Sequence, residues 1–191
     1  MPGNLILSSG KLVACDPFDL DKGAFVTPVP VGTFPVHLSL VVYPDGDRRV
    51  AAAMLRFSDA MPEVWRAAQP AGLRPDQVSS GGYPCYSVES GTGCFVDEAV
   101  VDAWYAASGF RADEYSPDFW IYLEKWNDRL REEFEASGDK ACTIDMSHLY
   151  PGNIIVFESG WGDGGYPSFF GYDLQQHLVC VVTDFRVIGR Q

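Results

Sequence analysis

Two short stretches hold most of the residues that could do chemistry. The first is Glu89-Ser90-Gly91-Thr92-Gly93-Cys94-Phe95-Val96-Asp97. Its small residues let the backbone turn tightly and bring N–H groups toward a ligand. A glycine turn leading to a helix start suits an anion or a thiolate. Cys94 is then a candidate nucleophile, needing a base such as His37, His148 or His177. The competing reading is structural. Gly91 and Gly93 shape a strand-to-helix turn, Cys94 and Phe95 point into the core, and Asp97 caps the helix. The structural reading leads. No Gly-Lys-Ser/Thr follows, so this is not a phosphate loop.

The second stretch is Gly160-Trp161-Gly162-Asp163-Gly164-Gly165-Tyr166-Pro167. Trp161 and Tyr166 bracket the Asp163 carboxylate. An exposed aromatic pair with an acid could recognise a sugar, a base or a cationic side chain. With Gly91 and Gly93, these three residues form the candidate ligand-binding set. Gly-Asp-Gly-Gly is also ordinary turn chemistry, and a hairpin turn joining Ile154–Phe157 to Tyr166–Tyr172 is the leading reading.

Carboxylates recur in and around both stretches: Glu89, Asp97, Glu158, Asp163 and Asp184. If they converged, they could hold a divalent cation or work as an acid and base. The catalytic candidates are therefore Cys94, Glu89, Asp97 and Asp163. No metal-ligand spacing is present, so neither a metal nor a cofactor is expected. Asp184, in Val-Thr-Asp-Phe, reads as a partner for a nearby backbone N–H.

These stretches must be placed by the elements around them. Val36–Tyr43 and Arg48–Phe57 flank Pro44-Asp45-Gly46-Asp47 and predict a β-hairpin. Leu5–Leu7 and Lys11–Ala14 predict short strands. Asp59 and Pro62 suggest a short helix through Trp65, and Pro70–Tyr86 reads as a long loop. Asp97 and Gly109 delimit one helix. Ser116-Pro117-Asp118 starts the strongest one, which Gly138 ends. Asn153–Phe157 is a continuous apolar run. Tyr166–Tyr172 and His177–Arg186 flank an expected turn at Asp173–Gln176. Strands, then helices, then strands predict an α+β fold. The expected form is one curved, mainly antiparallel sheet built from both chain ends, with two or three helices from the middle. Its expected core includes Leu38, Leu40, Val42, Met54, Leu55, Trp104, Leu123, Trp126, Leu130, Ile155, Phe157, Val179 and Val181.

With 191 residues, 47% of them hydrophobic, the chain suits one domain, expected over residues 1–191. Fourteen Lys and Arg stand against 26 Asp and Glu, for a formal charge of −12. That balance argues against nucleic acid and anionic membrane surfaces as partners. No apolar run approaches the roughly 20 residues of a membrane span. The start lacks a basic, then apolar, leader pattern. Five cysteines without a C-x-x-C pair fit reduced thiols in a cytoplasmic protein. Residues 111–145 hold ten carboxylates and five bases. Such a run is commonly a solvated helix face, and it could also meet a basic partner.

Several segments are too particular to be generic. They are Gly82-Tyr83-Pro84, Glu89 through Asp97, Phe157 through Ser168, Val182-Thr183-Asp184-Phe185 and Phe34-Pro35-Val36-His37. Together they resemble the bacterial family called domain of unknown function 4241, from Gly3 to Val187. The resemblance implies one domain and carries no established activity. Members often have Asp where this chain has Glu89, whose extra methylene shifts the reach of the carboxylate by over about an ångström.

The expected function is a non-catalytic acidic binding protein that neutralises a basic partner, as an antitoxin or immunity protein does. One alternative is a hydrolase of a small molecule or peptide that uses Cys94 or carboxylates of the glycine loops. Another is a carbohydrate- or nucleotide-binding module built on Trp161 and Tyr166.

Overall fold

The computed structural model describes residues 2–20, 23–72, 78, 82–110 and 116–189. The strands are β1 (Gly3–Leu7), β2 (Leu12–Cys15), β3 (Gly32–Val42), β4 (Arg48–Arg56), β5 (Val64–Ala67), β6 (Cys85–Val88), β7 (Thr92–Asp97), β8 (Ala141–Asp145), β9 (Asn153–Glu158), β10 (Gly164–Tyr172) and β11 (Leu178–Asp184). The helices are α1 (Glu98–Ser108) and α2 (Pro117–Ser137). The α+β class is as expected, but the strands form two antiparallel sheets rather than one. The larger has the order β1-β3-β4-β11-β10-β5, with β6 also beside β10; the smaller runs β2-β7-β9-β8.

Side-chain alternation explains the layering. Along β7 and β9, Phe95, Ile155 and Phe157 turn toward the larger sheet. Cys94, Val96, Ile154 and Val156 turn the other way, toward α1 and α2. The smaller sheet is thus the middle of three layers. Burial on both faces is why Asn153–Phe157 reads as an unbroken apolar run. The helix-side core is centred on Trp104, whose ring meets Tyr105, Phe119, Tyr122 and Trp126.

Both helices start and stop where their caps direct. The Asp97 side chain accepts from the Ala99 N–H, and Ser116 accepts from Phe119. Gly109 and Gly138 close them in the left-handed conformation. The hairpins β3–β4 and β10–β11 are also as expected. Asp184 accepts the Arg186 N–H, as its place at a strand end suggests.

Other expectations change. No helix follows Pro62; Val64–Ala67 is a strand paired with β10 through Trp65↔Gly171 and Val64↔Tyr172. A helix that short has too few hydrogen bonds to offset its nucleation, while the edge of β10 supplies partners at once. Cys85 and Tyr86 belong to β6, not to a loop; residues 73–77 and 79–81 of that expected loop lie outside the described residues. In the core, Leu55 is buried but Met54 is half-exposed, because adjacent strand residues face opposite ways. Val42 ends its strand 65% exposed.

The largest correction concerns the second glycine stretch. β9 and β10 do not pair. They belong to different sheets, and residues 159–163 carry the chain across the gap. Residues 89–91 make a parallel excursion, leading from β6 beside the larger sheet to β7 in the smaller one. They are not a strand-to-helix turn. The flanking pairs Val88↔Gly164 and Thr92↔Glu158 force the two crossovers to lie side by side.

Candidate functional site

The crossovers touch directly. The Ser159 N–H donates to the Gly91 carbonyl at 3.1 Å. A Cβ on Gly91 would sit 3.8 Å from the Gly162 Cα. Gly160 takes φ +60°, and a Cβ there would lie 2.8 and 2.9 Å from Val187 and Phe185. Glycine is therefore required at this bend by both conformation and space.

Buried polar groups pin the crossovers in place. The Asp16 carboxylate, only 6% exposed, accepts the N–H groups of Glu89 and Ser90 and the Ser90 hydroxyl. On the other side, the Tyr166 hydroxyl shares its proton between the carbonyls of Ser159 and Gly162, at 3.0 and 2.7 Å. Ser159 Oγ also donates to the Gly162 carbonyl.

Above this floor lies a cleft of about 500 Å³, within the size range of small-molecule sites. Gly91, Gly160 and Gly162 lie along its base. One wall is the C-terminal half of α2, with Leu130, Arg131, Phe134 and Glu135; the other holds Asp47, Arg49 and Trp161. Lys140 and Glu158 close it between α2 and the smaller sheet. A shallower depression continues past Ser90 and Arg131 toward Glu89.

Trp161 is the most conspicuous group. It is 48% exposed, as are Trp65 and Trp120 to a similar degree, but it alone of the three lines the cleft. The Arg49 guanidinium packs on its ring at 4.8 Å, and the Tyr43 ring is 5.8 Å away. These contacts hold the indole as a platform. Arg49 is itself fixed by Asp47 at 2.6 Å. Lys140 pairs with Glu158 at 2.7 Å. Both pairs are about one-third exposed, so each holds its geometry more firmly than a free surface pair.

The residues expected to form a site separate into distinct roles. Trp161 and Gly91 line the cleft; Gly93 and Tyr166 are buried and do not. Trp161 and Tyr166 therefore do not bracket Asp163, which is exposed outside the cleft lining. Cys94 is fully buried on the helix side of β7, with its Sγ 3.6 Å from that of Cys15. Burial pushes its thiol well above the ordinary cysteine value, which disfavours the thiolate. His148 and His177 are exposed and His37 half-exposed. Cys94 is not placed to attack a substrate.

Asp97 is fully buried and fully engaged, taking the N–H groups of Ser8, Ser9 and Ala99. It stands at the far end of β7 from Thr92, about 17 Å along the strand. Glu89 is exposed near the cleft. Asp97 thus lies apart from Glu89 and Asp163, which adjoin the paired residues Val88 and Gly164. Among the described residues, no three His, Cys, Asp or Glu side chains are grouped to hold a metal. Among the same residues, no helix is long and apolar enough to cross a membrane.

Sequence reasoning missed Asp16, Arg49 and Lys140. Asp16 follows the apolar run Leu12–Cys15, a position that could have marked it as a strand-end acceptor. Arg49 and Lys140 carry no motif; only the fold brings them together.

Comparison with curated proteins and with solved structures finds no match. The family described as "Protein of unknown function (DUF4241)" matches residues 5–183. That span takes in both crossovers, the Trp161 platform and the paired charges of the cleft, and the chain belongs to this family.

Proposed function

We propose that the protein is a non-catalytic binding protein whose ligand is a small polar molecule seated in the Trp161 cleft. One observation carries this reading. Two glycine crossovers, distant in sequence, are pinned together to make a rigid floor, and a half-exposed indole is braced beside it. A preformed concave site with few, fixed polar groups is the general form of a small-ligand pocket. The hydrolase alternative finds no comparable support, since Cys94 is enclosed and Asp97 is fully buried among three backbone N–H donors.

Tryptophan fluorescence tests the reading directly. The probes are a panel of monosaccharides, nucleosides, amino acids and their phosphorylated forms. A binding probe should change the emission of the protein, and Trp161→Ala should remove that change. A response that persists in Trp161→Ala would place the ligand elsewhere.

A second reading is the basic partner suggested by the overall charge. The exposed positions of α2 favour it. Asp118, Glu124, Asp128, Glu132 and Glu135 stand there with Lys125 and Arg131, and Trp120 and Ile121 are also exposed. An acidic face with an apolar end suits a basic, partly apolar surface. Charge reversal at Glu124 and Glu132 should abolish such a complex, as scored by size-exclusion chromatography with the host's basic proteins.

A further inference from the structure

We infer that the Trp161 cleft selects an uncharged, hydroxyl-rich ligand, a saccharide, in preference to a phosphorylated or otherwise anionic one. This rests on the small-ligand reading above and narrows it.

The cleft lining holds three cations and three carboxylates, so it is formally neutral. Two of the cations are committed: Arg49 to Asp47 at 2.6 Å and Lys140 to Glu158 at 2.7 Å. The third, Arg131, is 3.3 Å from Asp128. An incoming phosphate would have to compete with a carboxylate at Arg49 and at Lys140, the two cations held in close pairs, whereas the Arg131–Asp128 pair is largely exposed and weak. It would also enter the field of a chain carrying −12. Sites that bind phosphate present uncommitted donors or a helix N-terminus instead. The helix end at this cleft is the C-terminal half of α2, whose dipole is negative.

A hydroxyl meets no such opposition. It donates one hydrogen bond and accepts others. A lining that holds both cationic donors and carboxylate acceptors satisfies both needs without altering any charge balance. Sugars also present a face of C–H groups, which are apolar and pack on an aromatic ring. Trp161 offers such a ring, braced by Arg49 and Tyr43. The glycine floor adds access: a Cβ on Gly162 would meet nothing within 4 Å, so the backbone lies open to a ring close above it.

The test uses the whole protein and saturation-transfer NMR. The probes are a panel of neutral mono- and disaccharides, glucose 6-phosphate, and the polycation spermidine. Each is run on wild type and Trp161→Ala, at about 20 mM and about 500 mM NaCl, a range that removes most long-range electrostatics. The expected result is transfer to at least one neutral sugar, nearly unchanged by salt. Trp161→Ala should weaken it by at least about tenfold. Circular dichroism of Trp161→Ala checks that the variant is folded. If glucose 6-phosphate or spermidine binds in a Trp161-dependent, salt-sensitive way and no neutral sugar does, the saccharide inference is overturned while the cleft reading stands. If no probe of any class reports on Trp161, both are overturned.

Discussion

Asp16 and Ser90 are joined twice: the Ser90 N–H donates to Asp16 Oδ2 at 2.9 Å, and its hydroxyl donates to Oδ1 at 2.8 Å. Seventy-four positions separate them in the chain. Through this contact the residue that follows β2 sets the path of the crossover into β7, and hence the floor of the cleft.

Replacing Asp16 should therefore cost more than an ordinary surface change. Asp16→Ala leaves the Glu89 and Ser90 N–H groups without their acceptor. We expect a loss of about 3 kcal/mol in urea unfolding, from hydrogen bonds to a charged group. Asp16→Asn, which keeps one carbonyl acceptor, should lose roughly half as much. Equal losses for the two would show that the carboxylate charge itself holds the crossover.

Gly160 supplies a second test. A Cβ there meets Val187 and Phe185 at under 3 Å and demands a left-handed backbone from a residue that resists it. Gly160→Ala should destabilise the protein by about 2–3 kcal/mol, combining strain with overpacking. An unchanged thermal midpoint would mean that the crossover relaxes freely and is not a rigid floor.

The thiols give a chemical readout of the layering. Burial raises Cys85, Cys94, Cys142 and Cys180 above the ordinary value, Cys142 to about 11. Cys85 is the one half-exposed thiol among the five. Native iodoacetamide labelling, mapped by mass spectrometry, should modify Cys85 first and leave Cys94 untouched until the protein unfolds. Early modification of Cys94 would contradict its place in the middle layer.

A pH effect is expected at Asp145. Hydrogen bonds from the Ser147 hydroxyl and N–H hold its carboxyl below the usual range. Because the folded value is depressed, the stabilisation is present above the unfolded value, about 3.9, and disappears as pH falls through the folded one. Ser147→Ala should raise the Asp145 titration midpoint in carboxyl-detected NMR. No upward movement would assign the depression to the Ser147 N–H, with Arg129 and His148, rather than to the hydroxyl.

Arg49 tests how the platform is built. Arg49→Ala removes the group packed on Trp161 and releases Asp47. The indole emission should shift to longer wavelength and quench more readily with acrylamide, while stability changes by no more than about 1 kcal/mol. A large stability loss would make Arg49 a structural residue first.

Local signals were readable in the sequence wherever a cap or a turn residue decides the outcome. Asp97, Ser116, Gly109 and Gly138 bound the helices because each satisfies an orphan backbone group by itself. The division into two sheets was not readable in this way. The run Asn153–Phe157 announces burial on both faces, but it does not say that β10 lies in another layer. Gly162-Asp163-Gly164 suits a tight turn and a crossover equally well, and only pairing with β6 decides. The cleft is harder still. Arg49, Lys140 and Trp161 come from separate elements, and their meeting depends on how the layers stack.

The position of β11 carries a consequence for the order in which the protein can be made. β11 lies between β4 and β10, pairing Val181 with Leu55 on one side and with Phe170 on the other. It is the last of the described strands to leave the ribosome. Until it arrives, β3–β4 and β10 have no connection within the larger sheet, and each presents an open edge to its neighbours. The smaller sheet has all its strands once β9 is made, so its ladder is free to pair earlier, but its face of Phe95, Ile155 and Phe157 still waits for the larger sheet. Synthesis halted before Leu178 should leave that ladder paired while this face and the open edges of the larger sheet stay uncovered and depend on chaperones.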